Sequence, residues 1–123
     1  MTRSRIFLFA VLSMSLNARA AEPPAPDLPQ PLSETIAALD SAVFDAFNRC
    51  AAPEQLANHA SYFAENVEFY HDTGGVTWNR ADMLANTSRN ACGKFTRELV
   101  PGSLAVFPIK DFGAIEQGSH RFC

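Results

Sequence analysis

The sequence predicts an α+β fold in which helices pack on one face of a mainly antiparallel sheet. Apolar residues recur at helical spacing from Ile36 to Phe63, the period drops to two at Asn66, and two long strand-like stretches close the chain around turns containing Gly and Pro. Composition fits a single domain of this kind. The 123 residues are 47% hydrophobic with 6 Gly and 8 Pro, which excludes a collagenous, low-complexity or largely disordered chain.

The first 21 residues read as an export signal. Thr2 to Arg5 is a short basic region, Ile6 to Leu16 an apolar core, and Ala18-Arg19-Ala20 the small-x-small cleavage pattern. A membrane-spanning helix needs about 20 apolar residues, so this core is too short for a permanent anchor. The mature chain is expected in the periplasm or outside the cell, with no membrane attachment after cleavage. Residues 22–31 carry five prolines and read as an extended leader, which places the folded domain at 32–123. Three of the ten Lys and Arg lie in the signal, so the mature chain sets seven basic residues against thirteen acidic ones. It has no basic face to neutralise phosphates, and nucleic acid is excluded as a partner.

Within the domain, Ser33 is the expected N-cap of a first helix with the apolar stripe Ile36, Leu39, Val43, Phe44 and Phe47. Asp40, Asp45 and Arg49 are assigned to its solvent side. Pro53 suits the first turn of a second helix that buries Leu56, Ala60 and Phe63 and leaves His59 at the surface. Alternation from Asn66 to Asp72 puts Val67, Phe69 and His71 on one strand face and Glu68, Tyr70 and Asp72 on the other. Thr73-Gly74-Gly75 turns the chain into a short partner strand, Val76 to Trp78. Asn79 caps a third helix with Asp82 at the capping-box position and Met83, Leu84, Thr87 and Ala91 facing inward, and Gly93 stops it.

Two strand stretches follow, Lys94 to Val106 interrupted at Pro101-Gly102, and Ala114 to Cys123 after Asp111-Phe112-Gly113. Glu116, Gly118, His120 and Phe122 share one face of the last stretch. Arg97 and Glu98 alternate, so only one faces inward, and Glu98 is the one expected to pair across strands with Arg121. Cys50, Cys92 and Cys123 are too far apart for a redox or zinc knuckle. In an oxidising compartment they predict one disulfide and one spare thiol, the pairing left open.

This order, with the segments VEFYHDTGG at Val67 to Gly75, RELVPGSL at Arg97 to Leu104 and GAIEQGSHRF at Gly113 to Phe122, resembles the nuclear transport factor 2-like superfamily and within it the SnoaL-like group. The resemblance implies a cone-like curved sheet wrapped around the N-terminal helix, with a pocket at the open end. It also implies two further strands beyond Cys123, so the chain is expected to lack the last two strands of the cone. The superfamily holds isomerases, dehydratases and binding modules on one scaffold, so the function must be read from the site.

A desolvated carboxylate or an imidazole can move protons near neutral pH. The candidate catalytic residues are therefore Asp72 as base, Tyr70 as hydrogen-bond donor and His120. Phe44, Phe47, Trp78 and Glu116 are assigned to the pocket, which suits a small, largely apolar molecule. No HxH or HExxH spacing occurs, so neither metal nor cofactor is expected. The alternative is a non-catalytic ligand-binding module, or a homodimer formed through the open sheet.

Overall fold

Helix α1 runs over Gln30–Asn48 in the computed structural model, which describes residues 30–123, with side chains from Leu32 onward. The export signal lies outside the described residues, as does the proline leader except for Gln30 and Pro31. Those two residues join α1, because the first turn of a helix has no use for the N–H that proline lacks. Ser33 therefore sits inside the first turn and not at the cap.

Helix α2, Pro53–Ala60, starts on its proline. Strands β1, Phe69–His71, and β2, Gly75–Thr77, form an antiparallel hairpin with Tyr70 opposite Val76 and His71 opposite Gly75. Helix α3, Arg80–Asn90, is capped by Asn79, whose Oδ1 accepts from the Asp82 N–H at 2.8 Å. Asp82 completes the cap by accepting from Asn79 Nδ2 at 2.7 Å.

The remaining strands are β3, Arg97–Leu99, β4, Ala105–Ile109, β5, Gly113–Gln117, and β6, His120–Phe122. β4 pairs with β5, and β3 with β6, all antiparallel. Together they form one long bent ribbon in which residues 100–104 face only residues 118–119. Ser103 Oγ ties that bend by donating to Val100 O at 2.7 Å and accepting from Ser119 N at 3.0 Å. Gly102 takes the positive φ, +74°, that the turn requires. The class is thus α+β, with three small antiparallel sheets, none closed.

The core is small: Ala46, Phe47, Cys50, Met83 and Val106 are buried. Three assignments change. Leu39 is half exposed while Asp40 is only 4% exposed, because Asp40 lies four residues after Ile36 and four before Phe44 and shares their face. His59, 4% exposed, lies on the inner line between Leu56 and Phe63 and packs on the rings of Phe47 and Phe63. Arg97 is the inward residue of β3, and Glu98 is exposed. Glu98 does stand opposite Arg121 in the register, but no ion pair joins them among the described residues.

A disulfide between Cys50 and Cys92 ties the end of α1 to the end of α3, and Cys123 is free and exposed. It closes a loop of 42 residues in sequence separation, for which the chain-entropy relation gives roughly 4 kcal/mol. Replacing both Cys50 and Cys92 by Ser should lower unfolding stability by about 2–4 kcal/mol in urea titrations. Cys123→Ser should leave it unchanged.

Candidate functional site

A cleft of about 540 Å³ opens between α3, the β1–β2 hairpin and the packed rings of Phe47 and Phe122. Phe69, Met83 and Phe95 supply the rest of its apolar wall, and none of its lining residues is Asp, Glu, Lys or Arg. His71 is its one titratable member, alongside the polar Asn86 and Asn90. The His71 Nδ1 accepts from the backbone N–H groups of Thr73 at 3.2 Å and Gly74 at 3.0 Å. Those two donors assign the neutral ring the tautomer with hydrogen on Nε2, so that nitrogen is a donor. The Asp72 carboxylate lies 3.1 Å from the same Nδ1.

Of the candidate residues, Phe47 lines the cleft, and Tyr70 and Asp72 do not. Asp72 Oδ1 accepts from the Thr73 N–H at 2.8 Å and so serves the turn. Tyr70 donates its hydroxyl to Glu68 Oε2 at 2.8 Å, and that bond is the main cause pushing its phenol upward. The alternation along β1 is as expected; the inward face is the one carrying His71. The signal was legible, since Val67 and Phe69 accompany His71 whereas Glu68 and Asp72 accompany Tyr70. Trp78 is 62% exposed and lines a shallow depression on the outer side of the hairpin, which shares Thr77 and Asn86 with the cleft.

Phe44, Glu116 and His120 meet at a second place, where the ribbon crosses α1. Arg97 makes a two-pronged ion pair with Asp40, each prong 2.8 Å, and its Nε donates to His120 Nδ1 at 3.4 Å. The guanidinium carbon sits 3.8 Å from the centre of the Phe44 ring. Asn48 clamps the Arg97 backbone on both sides, accepting from its N–H at 2.6 Å and donating to its carbonyl at 3.0 Å. Glu116 hydrogen-bonds Asp40. Partial desolvation first, then the bond to Asp40 and its like charge, push the Glu116 carboxyl up to about 7 against the opposing pull of Arg97. Gly118 leaves no gap between Glu116 and His120, because the side chains of Leu99 and Leu104 fill the space a Cβ would need.

No group of three or more His, Cys, Asp or Glu among the described residues is arranged to hold a metal ion. No described helix is long and apolar enough to cross a membrane. No family model matches this chain, nor does any curated protein or solved structure.

Glu116 and His59 give the fold opposite pH responses. The native state keeps a proton on Glu116 between about pH 4.5, where the unfolded chain releases it, and about 7. That contribution to stability is complete below the window and lost as pH rises through it. Burial lowers His59 from 6.5, so its contribution is complete above 6.5 and lost as pH falls. Glu116→Gln should therefore gain stability relative to the native chain on going from about pH 5 to about pH 8. Urea midpoints of the two proteins at both pH values check this.

Proposed function

We propose that this chain is an exported domain that binds a small, largely apolar molecule in the cleft. The observation that carries the reading is a concave, uncharged lining with one imidazole fixed in it. The Cys50–Cys92 disulfide supports export to an oxidising compartment. The resemblance to SnoaL-like domains belongs to the same proposal. So does a cone-like sheet around α1, which is supported by Arg97, His120 and Phe122 all turning from the ribbon toward that helix. Asp72 and Tyr70 lie away from the cleft, so the proposed role is binding, with His71 as the hydrogen-bond donor to an acceptor oxygen on the ligand.

The test uses 2-acetylnaphthalene and naphthalene, followed by chemical shifts. Both probes should bind and move the signals of Met83 and Phe122. His71→Phe should cut the preference for the acetyl compound over naphthalene by about fivefold, the worth of one hydrogen bond of ~1 kcal/mol, because loosening the turn acts on both probes alike. Shifts confined to residues outside the cleft would overturn the reading.

The dimeric alternative is supported by the outer face of the β4–β5 hairpin. Phe107, Ile109 and Ile115 are exposed there by register, and Phe112 at the tip is 85% exposed. It predicts a concentration-dependent dimer in light scattering that Ile115→Glu abolishes. A monomer at every concentration would eliminate it.

A further inference from the structure

We propose that the outer face of the β1–β2 hairpin, together with the adjoining side of α3, is a binding site for neutral sugar rings. Tyr70 and Val76 are register partners, and Val76 and Trp78 line the same shallow depression of about 310 Å³. These three side chains are exposed on the side of the hairpin opposite Phe69 and His71. Tyr70 and Trp78 meet edge to face with ring centres 6.2 Å apart, forming an aromatic corner open to water. A buried core or an apolar cavity has no use for such a corner.

The floor beside it is polar and already ordered. Arg89 Nη2 donates to Asn86 Oδ1 at 2.9 Å, and Asn79 Nδ2 donates to Asp82 Oδ2 at 2.7 Å. With those bonds made, Asp82 keeps lone pairs to accept with, and Arg89 and Asn86 keep N–H groups to donate. A sugar hydroxyl both donates and accepts, so it needs both kinds of partner. The C–H bonds on a pyranose face carry the slight positive charge that the face of an indole or phenol ring attracts. Among the residues lining the depression the charges of Asp82 and Arg89 offset each other, which favours an uncharged ligand, and Glu68, bonded to the Tyr70 hydroxyl, adds a further acceptor at its edge. An apolar partner would desolvate both charged groups with no hydrogen bonds in return.

Trp78 is the only tryptophan in the chain, so its emission reports on this face directly. The full chain is titrated with methyl β-glucoside, cellobiose and sorbitol, the last having the hydroxyls without a ring face. The expected result is a saturable emission change with both cyclic compounds and none with sorbitol. Arg89→Ala should weaken cellobiose by about fivefold or more. Trp78→Ala, followed by calorimetry, should lose cellobiose while still binding 2-acetylnaphthalene in the cleft. Retained folding and cleft binding in that variant separate this site from the one under Proposed function. The inference is overturned if neither cyclic compound gives a saturable response, if sorbitol gives the same response, or if the emission change follows dimerisation in light scattering.

Discussion

The ion pair between Asp40 and Arg97 is the constraint on which the arrangement of helix and ribbon depends. Asp40 is 4% exposed and Arg97 8%, so both charges have left water, and they are tolerated only because nearly every donor and acceptor is used. The carboxylate takes both prongs of the guanidinium, His120 accepts from Nε, and Phe44 covers the flat face. Removing one member of such a pair costs about 3–5 kcal/mol, because the other charge stays buried alone. Whole domains are stable by only about 5–15 kcal/mol, so this contact is a large share of what holds the ribbon on α1. Asn48 adds a fixed register, since its amide meets both the N–H and the carbonyl of Arg97.

From that anchor the pairing of β3 with β6 carries the rest. Arg97 stands opposite Phe122 and Leu99 opposite His120. Fixing Arg97 on α1 therefore delivers Phe122 onto Phe47, with ring centres 6.0 Å apart, and completes the cleft wall. The three histidines divide by what they bond. His59 donates Nδ1–H to Val43 O at 2.9 Å and holds α2 to α1 as a neutral, buried ring. His71 and His120 instead accept at Nδ1, from backbone N–H groups and from Arg97. Identical residue types thus serve as structural link, cleft donor and partner to a buried cation, according to the donor each one meets.

The order of elements was legible because it rests on period, which places three helices, the hairpin turn and the strands in sequence. Strand bounds were not: β1 begins at Phe69 and not at Asn66, β4 runs on to Ile109 past Val106, and the last stretch divides at residues 118–119. Spacing and residue type conflict at two positions, and spacing prevails at both: Asp40 occupies the apolar stripe of α1 despite its charge, and His59 the inner line of α2 despite its polarity. Choosing between Arg97 and Glu98 needed a partner 57 residues away in sequence, which no local pattern supplies. The pairing of Cys50 with Cys92 is likewise set by how α1 and α3 approach. At the cleft, the alternation was right and the choice of inner face was not, although the apolar neighbours of His71 marked it.

The β1–β2 hairpin shows how closely binding surface and local stability are joined here. Two strands of three residues are marginal alone, so their turn has to be fastened. His71 does this by accepting from Thr73 and Gly74, and Asp72 by accepting from Thr73. A Cβ at Gly74 would come within 3.3 Å of His71 Nδ1, so a larger residue there would push on the ring that accepts this second bond. The next residue, Gly75, has φ +77°, which also favours glycine. The imidazole that fastens the turn is the one lining the cleft, and alternation then sends Tyr70 to the other side. One short hairpin therefore presents an apolar-plus-imidazole face inward and an aromatic face outward, with its turn chemistry setting the position of both.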